Sequence, residues 1–489
     1  VGMLLVKCTS EGNSNNFWAT YHRGSSNTFG VLNKTNAFAS TNEGWPMYNI
    51  FGDDTSVILP TSTAFTVSGN NPTNETNKTY VAYIFADNSS EDAADRLISC
   101  GSYTEGSSEQ EISLGFEPQF LIVKTSTSTM GWRIFDTMRG FNYANVGTTA
   151  GASNANLEAN SSNAESGSSP YFKPTPTGFL APSGFFGSGT EYIYMAIRRD
   201  NMVEPTDATK VFAVDRANGS DNPCFVSGFP VDFGLLKEYN ATGSWQSSSR
   251  LTSTKILSTN SNGAESSNGF YSFASNTSWF SLALGSEYYS WMWQRAKSFF
   301  DVVAYSGTYP APTLSHSLST VPEMVVFKSR ESCGADDWYT FHTSLGTSKY
   351  VALNSNAAST TRNSWITLSN SSVTGDPLVS QTGTNYIMYL FASLAGVSKV
   401  SSVVHSGTTN VDAGFSNGSR FILLKRTDAS GDWLTYDSTR GIVSGNDPYL
   451  LLNSDAAQVT NTDYIDPYSA GFTLTSSLTA GTYIYYAIA

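Results

Sequence analysis

Short apolar and aromatic runs alternate along the whole chain with stretches rich in Ser, Thr, Asn and Gly. Near the end of the chain the runs at 403–404, 421–425, 433–436, 450–452, 472–474 and 483–488 read as six short strands, because β-branched and aromatic residues dominate them. Glycine-bearing steps separate them, as at Ser406-Gly407, Asn417-Gly418, Ser430-Gly431, Ser444-Gly445 and Ala480-Gly481. No stretch keeps apolar residues at helical spacing over three turns, so the pattern predicts few helices.

The runs themselves recur. A strand opening on tyrosine appears at Tyr192 (YIYMAIRR), Tyr289 (YSWMWQRA), Tyr386 (YIMYLFAS) and Tyr483 (YIYYAIA), each 97 residues after the last, with an earlier copy at Tyr80 (YVAYIFAD). An apolar run ending in lysine precedes each: MLLVK to Lys7, FLIVK to Lys124, FGLLK to Lys237, MVVFK to Lys328 and FILLK to Lys425. A tryptophan follows, at Trp18, Trp132, Trp245, Trp338 and Trp433. An aromatic comes three positions later at Tyr21, Phe135, Phe341 and Tyr436, where the third copy has Ser248. A Leu-Asn step at 32–33, 353–354 and 452–453 reads as degraded to Leu157-Glu158 and Leu257-Ser258 in the second and third copies.

Fixed landmarks in fixed order mark tandem repetition. They predict an all-β chain of five tandem β-sandwich (jelly-roll or lectin-like) modules at 1–92, 95–203, 208–296, 298–395 and 398–489, the third the most diverged. The connectors are short and polar, as at 87–95 and 200–207, so neighbouring modules are expected to touch. The closing strand is apolar on both faces: Tyr483, Tyr485 and Ala487 alternate with Ile484, Tyr486 and Ile488. Such a strand is central in its sheet or meets a neighbouring module. The repeated tryptophan is expected inside each module's own core.

Charged residues make up only 14% of the chain, against about 25% in ordinary soluble proteins. Aromatic residues at 13% nevertheless exclude a disordered chain. The net charge of −13 argues against nucleic acid and anionic membrane surfaces as partners. No apolar run reaches the ~20 residues of a membrane-spanning helix, so no membrane insertion is expected. Val1 falls inside the run leading to Lys7, and the strand that comes earlier in other copies has no counterpart. The sequence therefore reads as a piece of a longer polypeptide, or as one whose upstream residues were not seen. Four cysteines at non-equivalent positions (Cys8, Cys100, Cys224, Cys333) lack zinc spacing and read as reduced or buried rather than bridged.

Candidate chemistry is sparse. His22 and His342 occupy the position that Asp136 and Asp437 fill elsewhere, which suits a hydrogen-bonding role in a turn. No Ser or Cys constellation accompanies them. The adjacent acids Asp53-Asp54 and Asp336-Asp337 cannot face each other across a substrate from one strand. The loop 428–432, with Asp428 and Asp432, reads as a turn, with an oxygen-ligand calcium loop as the alternative. No catalytic residues, metal or cofactor are expected. Exposed aromatics can stack on sugar rings, and Trp45, Tyr48, Tyr143, Trp279 and Trp365 stand outside the repeated landmarks as candidates for that role, most of them expected to be structural.

The second copy carries ISLGFEPQFLIVK (112–124), GWRIFDTMRG (131–140) and YIYMAIRR (192–199). The fourth carries PEMVVFK (322–328), DWYTFHTSLG (337–346) and YIMYLFA (386–392). WATYHRG (18–24), PTSTAFTV (60–67) and YVAYIFA (80–86) in the first, and DWLTYDSTRG (432–441) with YIYYAIA (483–489) in the fifth, belong to the same pattern. Together these segments resemble a repeat domain of virion proteins of tailed bacteriophages, marine ones especially. The resemblance implies a non-enzymatic structural virion protein on the particle surface: a tail fibre or projecting component contacting host glycans. The alternatives are a capsid decoration protein or a non-viral secreted carbohydrate-binding protein. It also implies other virion proteins as partners and a homotrimer.

Overall fold

In the computed structural model the apolar runs become strands, all paired antiparallel. The structure describes residues 1–10, 17–25, 27–69, 72–88, 96–143, 155–166, 172–184, 186–199, 202–219, 223–252, 254–268, 270–280, 282–334 and 336–489. The expected connector at 87–95 lies largely outside the described residues, and so do positions 200–201 of the connector at 200–207. The chain divides into two compact units, 1–200 and 201–489. Helical structure among the described residues is limited to short 3-10 turns, and no helix is long and apolar enough to cross a membrane.

Each lysine-ended run forms a strand within a larger sheet, here numbered I to V. Sheet I runs in the order Gly30–Val31, Ala19–His22, Met3–Cys8, Tyr80–Phe85. Sheet II runs Leu157–Glu158, Arg133–Asp136, Pro118–Thr125, Glu191–Arg198, Ile98–Thr104. In the second unit, sheet III orders Phe212–Arg216, Tyr288–Trp293, Phe233–Glu238, Gln246–Ser249. Sheet IV orders Phe300–Ser306, Asn385–Phe391, Met324–Ser329, Tyr339–His342, Lys349–Ala352, Thr360–Thr361. Sheet V orders Ser398–His405, Gly481–Ile488, Phe421–Arg426, Trp433–Asp437, Leu450–Leu451. The lysine strand thus lies between the tryptophan strand and the closing strand. In sheets II to V an opening strand flanks the closing strand on its other side.

Three-stranded second sheets cover one face of sheets II, IV and V. Their apolar residues close separate cores: Phe172 and Phe179 meet Val123 and Tyr194, Trp365 and Val373 meet Phe327 and Met388, and Phe472 and Leu474 meet Leu424 and Tyr485. Over sheet III the opposite layer is supplied by Phe225, Tyr271 and Trp279, and over sheet I by Met47, Ile50 and Phe51 from a 3-10 turn and its flank. Burying each such aromatic contributes about 1.5–3 kcal/mol.

Pairing registers revise two of the sequence landmarks. The closing tyrosine lies opposite the residue after the lysine: Tyr80 faces Cys8, Tyr192 faces Thr125, Tyr386 faces Ser329 and Tyr483 faces Arg426. In sheet III that place opposite Glu238 belongs to Tyr288, while Tyr289 faces Lys237. The equal spacing through Tyr289 therefore picked the wrong member of a Tyr-Tyr pair. The second revision concerns the asparagines below.

The repeated tryptophans correct a third expectation. Trp132, Trp245, Trp338 and Trp433 are fully buried, but none belongs to its own sheet's sandwich core. Their strands alternate, and the aromatic three positions on (Phe135, Phe341, Tyr436) takes the inward face while the tryptophan takes the outer one. That outer face is buried against a neighbouring sheet. The closing strand behaves as its alternation predicts: in sheet V, Tyr483, Tyr485 and Ala487 enter the sandwich core, and Tyr486 faces the next sheet.

Candidate functional site

The outer faces of the sheets carry the one chemical device that repeats throughout. In every sheet an asparagine side chain accepts a hydrogen bond from the backbone N–H of the repeated tryptophan. The pairs are Asn33 with Trp18 at 2.9 Å, Asn160 with Trp132 at 2.6 Å, Asn260 with Trp245 at 3.0 Å, Asn354 with Trp338 at 3.0 Å and Asn453 with Trp433 at 2.8 Å. Sequence reading missed Asn160 and Asn260 because it followed leucine rather than asparagine. The equivalent steps are Ala159-Asn160 and Thr259-Asn260, not Leu157-Glu158 and Leu257-Ser258. The asparagine is held in turn: Asp337 accepts from Asn354 Nδ2 and Asp432 from Asn453 Nδ2, each at 2.8 Å.

The neighbouring sheet grips the chain on both sides of this asparagine. A tryptophan Nε1 donates to the carbonyl two residues before it, and a lysine Nζ donates to the carbonyl two residues after it. Around Asn33 these are Trp132 to Val31 O (3.0 Å) and Lys124 to Thr35 O (3.2 Å). Around Asn260 they are Trp338 to Ser258 O (3.1 Å) and Lys328 to Asn262 O (3.2 Å). Around Asn354 they are Trp433 to Ala352 O (2.9 Å) and Lys425 to Asn356 O (3.2 Å). Around Asn453 they are Trp245 to Leu451 O (2.8 Å) and Lys237 to Asp455 O (3.1 Å).

In the second unit these latches close a cycle. Sheet III grips sheet V, sheet V grips sheet IV, and sheet IV grips sheet III. Apolar residues fill the space they enclose: Phe233, Phe421 and Tyr486 with Tyr389 and Trp338 line a cavity of roughly 50 Å³. Phe233 and Tyr389 approach to 4.4 Å between ring centres, and Phe391 and Tyr486 to 4.9 Å.

The lysines are buried ammonium groups. Burial alone would make them costly, so each is solvated by carbonyls in place of water. Lys425 Nζ donates to Asn356, Ala357, Arg426 and Gly431 oxygens at 2.7–3.2 Å. Desolvation pulls Lys124, Lys328 and Lys425 down to about 8 from the usual 10.5.

A second set of contacts sits at the far end of the tryptophan strand. His22 Nδ1 accepts from Gly24 N–H (3.0 Å) while Nε2 donates to Tyr194 O of the neighbouring sheet (2.9 Å). His342 repeats this with Ser344 N–H (3.2 Å) and Tyr485 O (3.4 Å). Both imidazoles are therefore neutral, and burial lowers each to about 4. At the same position Asp136 and Asp437 accept from Arg139 and Arg440 N–H, each at 2.9 Å. Asp437 also takes the Trp291 indole N–H of sheet III at 3.1 Å, with the Arg440 guanidinium 5.3 Å from the Trp291 ring centre. His and Asp share the position because both can accept from the turn, and His22, His342 and Asp437 also reach a neighbouring sheet.

The five aromatic candidates do not gather into one surface. Trp365 is buried in the core of sheet IV, its Nε1 donating to Lys349 O at 3.1 Å. Trp279 is buried over Gly234, donating to Ser290 Oγ at 2.9 Å, and a Cβ at Gly234 would lie 2.3 Å from its ring. Tyr143 is buried with Lys173 Nζ 5.3 Å from its ring centre. These three are structural, so stacking on a ligand is withdrawn for them. Trp45 is half-buried, and Tyr48 is the exposed one at 37%. In the loop proposed as a calcium alternative, Asp428 pairs with Arg426 at 2.8 Å and Asp432 holds Asn453. Among the described residues all four cysteines are free thiols.

The chain matches the family described as a domain of unknown function (DUF7483) over residues 2–200 and 283–489. The unmatched stretch falls on most of the segment that departs furthest from the repeat pattern. No curated protein and no solved structure matches it.

Proposed function

The chain belongs to the DUF7483 family, and we propose that it is a structural virion protein of a tailed phage, a tail fibre or other surface-projecting component that contacts host glycans. We read it as five tandem repeats at 1–92, 95–203, 208–296, 298–395 and 398–489, with no catalytic centre. The observation that supports the structural part of the reading is the recurring tryptophan–lysine latch, which commits the chain's most distinctive buried groups to joining one repeat to another. A device of that kind suits a mechanical array better than a pocket. The virion location rests on the resemblance of the strand motifs to phage repeat domains. The glycan role falls to Tyr48 and Trp45, the candidates that retain exposed surface.

Electron microscopy of the parent particle, with gold-labelled antibody against this chain, tests the location. Label on projecting fibres is the expected result, and particles that carry no label overturn it. A glycan array probed with the full chain tests the ligand class. Binding lost in Tyr48→Ala supports the role of that surface, and an array without signal removes glycans from the reading.

A further inference from the structure

Sheet I differs from the other four at one edge. In sheets II to V the closing strand pairs with an opening strand: Ile98–Thr104, Phe212–Arg216, Phe300–Ser306 and Ser398–His405. Among the described residues, the closing strand Tyr80–Phe85 of sheet I pairs only with Met3–Cys8. The bond from Thr9 N–H to Thr79 O (2.8 Å) fixes the alternation of that ladder. Val81, Tyr83 and Phe85 turn their amides toward the lysine strand, and Ala82 and Ile84 turn theirs toward the open edge. Apolar side chains accompany those amides at the surface, with Ile84 53% and Tyr83 47% exposed. A bare edge of this kind is a template for strand pairing.

The chain itself shows what such an edge holds. Its opening strands are extended and antiparallel to the closing strand, and two of them lay an aromatic on the closing tyrosine. Tyr103 stacks on Tyr192 with centroids 5.0 Å apart and planes 6° from parallel, and Tyr305 stacks on Tyr386 at 5.2 Å and 13°. We propose that the Tyr80–Phe85 edge is a strand-acceptor site, and that its occupant is an opening strand of this same repeat type from outside residues 1–489, antiparallel, with its aromatic residue over Tyr80. Main-chain bonds to the outward amides supply affinity, and the aromatic opposite Tyr80 sets register.

The test uses the full chain and a synthetic peptide with the sequence of residues 299–307, FFDVVAYSG. Peptide binding should slow hydrogen exchange within 80–85. A peptide with alanine in place of its tyrosine should bind about tenfold more weakly. Ile84→Pro removes an outward amide while sparing the ladder to Met3–Cys8, and should weaken binding by about tenfold or more. The exchange result and the peptide variant do not depend on how that substitution folds. Unchanged exchange within 80–85, or a chain that dimerises through this edge and excludes the peptide, overturns the proposal.

Discussion

The indole of Trp433 donates to the carbonyl of Ala352 across a boundary between two sheets, at 2.9 Å. Its own backbone N–H is held by Asn453, two residues after the carbonyl that Trp245 grips from a third sheet. Trp132, Trp245, Trp338 and Trp433 are thus each anchored by their own sheet's asparagine and reach past a neighbour's. The side chain is fully buried without contributing to the sandwich core of its own repeat.

Truncating this group should therefore weaken a boundary. Trp433→Ala and Trp338→Ala are each expected to cost about 3–5 kcal/mol, as large aromatic deletions do in closed interiors. Trp433→Phe keeps most of the apolar volume and loses the hydrogen bond to Ala352 O, which still accepts from Ser355 N–H at 3.2 Å, so it should cost less, about 0.5–1.5 kcal/mol. Denaturant unfolding of the full chain measures both.

Lys425 holds four carbonyls that no other side chain reaches among the described residues, and of the four Asn356 O also takes the Gly431 N–H. Lys425→Met matches the length of the stem without the donors. It should destabilise the second unit by about 2–4 kcal/mol, because several buried oxygens lose their partner at once. Equal stability of wild type and variant in urea would show that the ammonium merely fills space.

Asn260 was invisible as a landmark, yet its Oδ1 takes the Trp245 N–H. Asn260→Ala and Asn354→Ala should cost similar amounts, about 1–2 kcal/mol each, since both leave a tryptophan amide without its acceptor. A large difference between them would show that sheet III does not use the asparagine as the others do.

His342 supplies a pH signature. Its folded value near 4 lies below the unfolded 6.5, so the unfolded chain binds the extra proton between those values. Stability is complete above pH 6.5 and falls as pH drops toward 4, by about 3 kcal/mol for this group. His342→Asn, which keeps an acceptor without a titrating ring, should flatten the profile in that window. His22 makes the same contribution in the first unit.

Much of this architecture was legible because repetition and period-two alternation are properties of the chain itself. The strands, the scarcity of helices and the doubly apolar closing strand all follow from local pattern. The tryptophan's location did not, because burial in a core and burial between sheets leave the same signature in one sequence. The inward aromatic three positions later was the available clue, since it already occupied the core-facing side. Tyr289 misled because a Tyr-Tyr pair offers two registers and only backbone pairing chooses between them. Asn160 and Asn260 were lost because the apolar neighbour varies (Ala159, Thr259) while the hydrogen-bonding residue does not. Trp279 and Trp365 looked free because they fall outside the repeated landmarks, but each fills a core that its own second layer closes.

Hydrogen exchange on the full chain carrying Trp433→Ala tests the cyclic interlock most directly. The account predicts faster exchange not only in sheet V but also in the gripped stretch 349–357 of sheet IV, where Ala352 O loses the Trp433 indole. Faster exchange confined to 398–489, with 349–357 as protected as in the wild type, would contradict it.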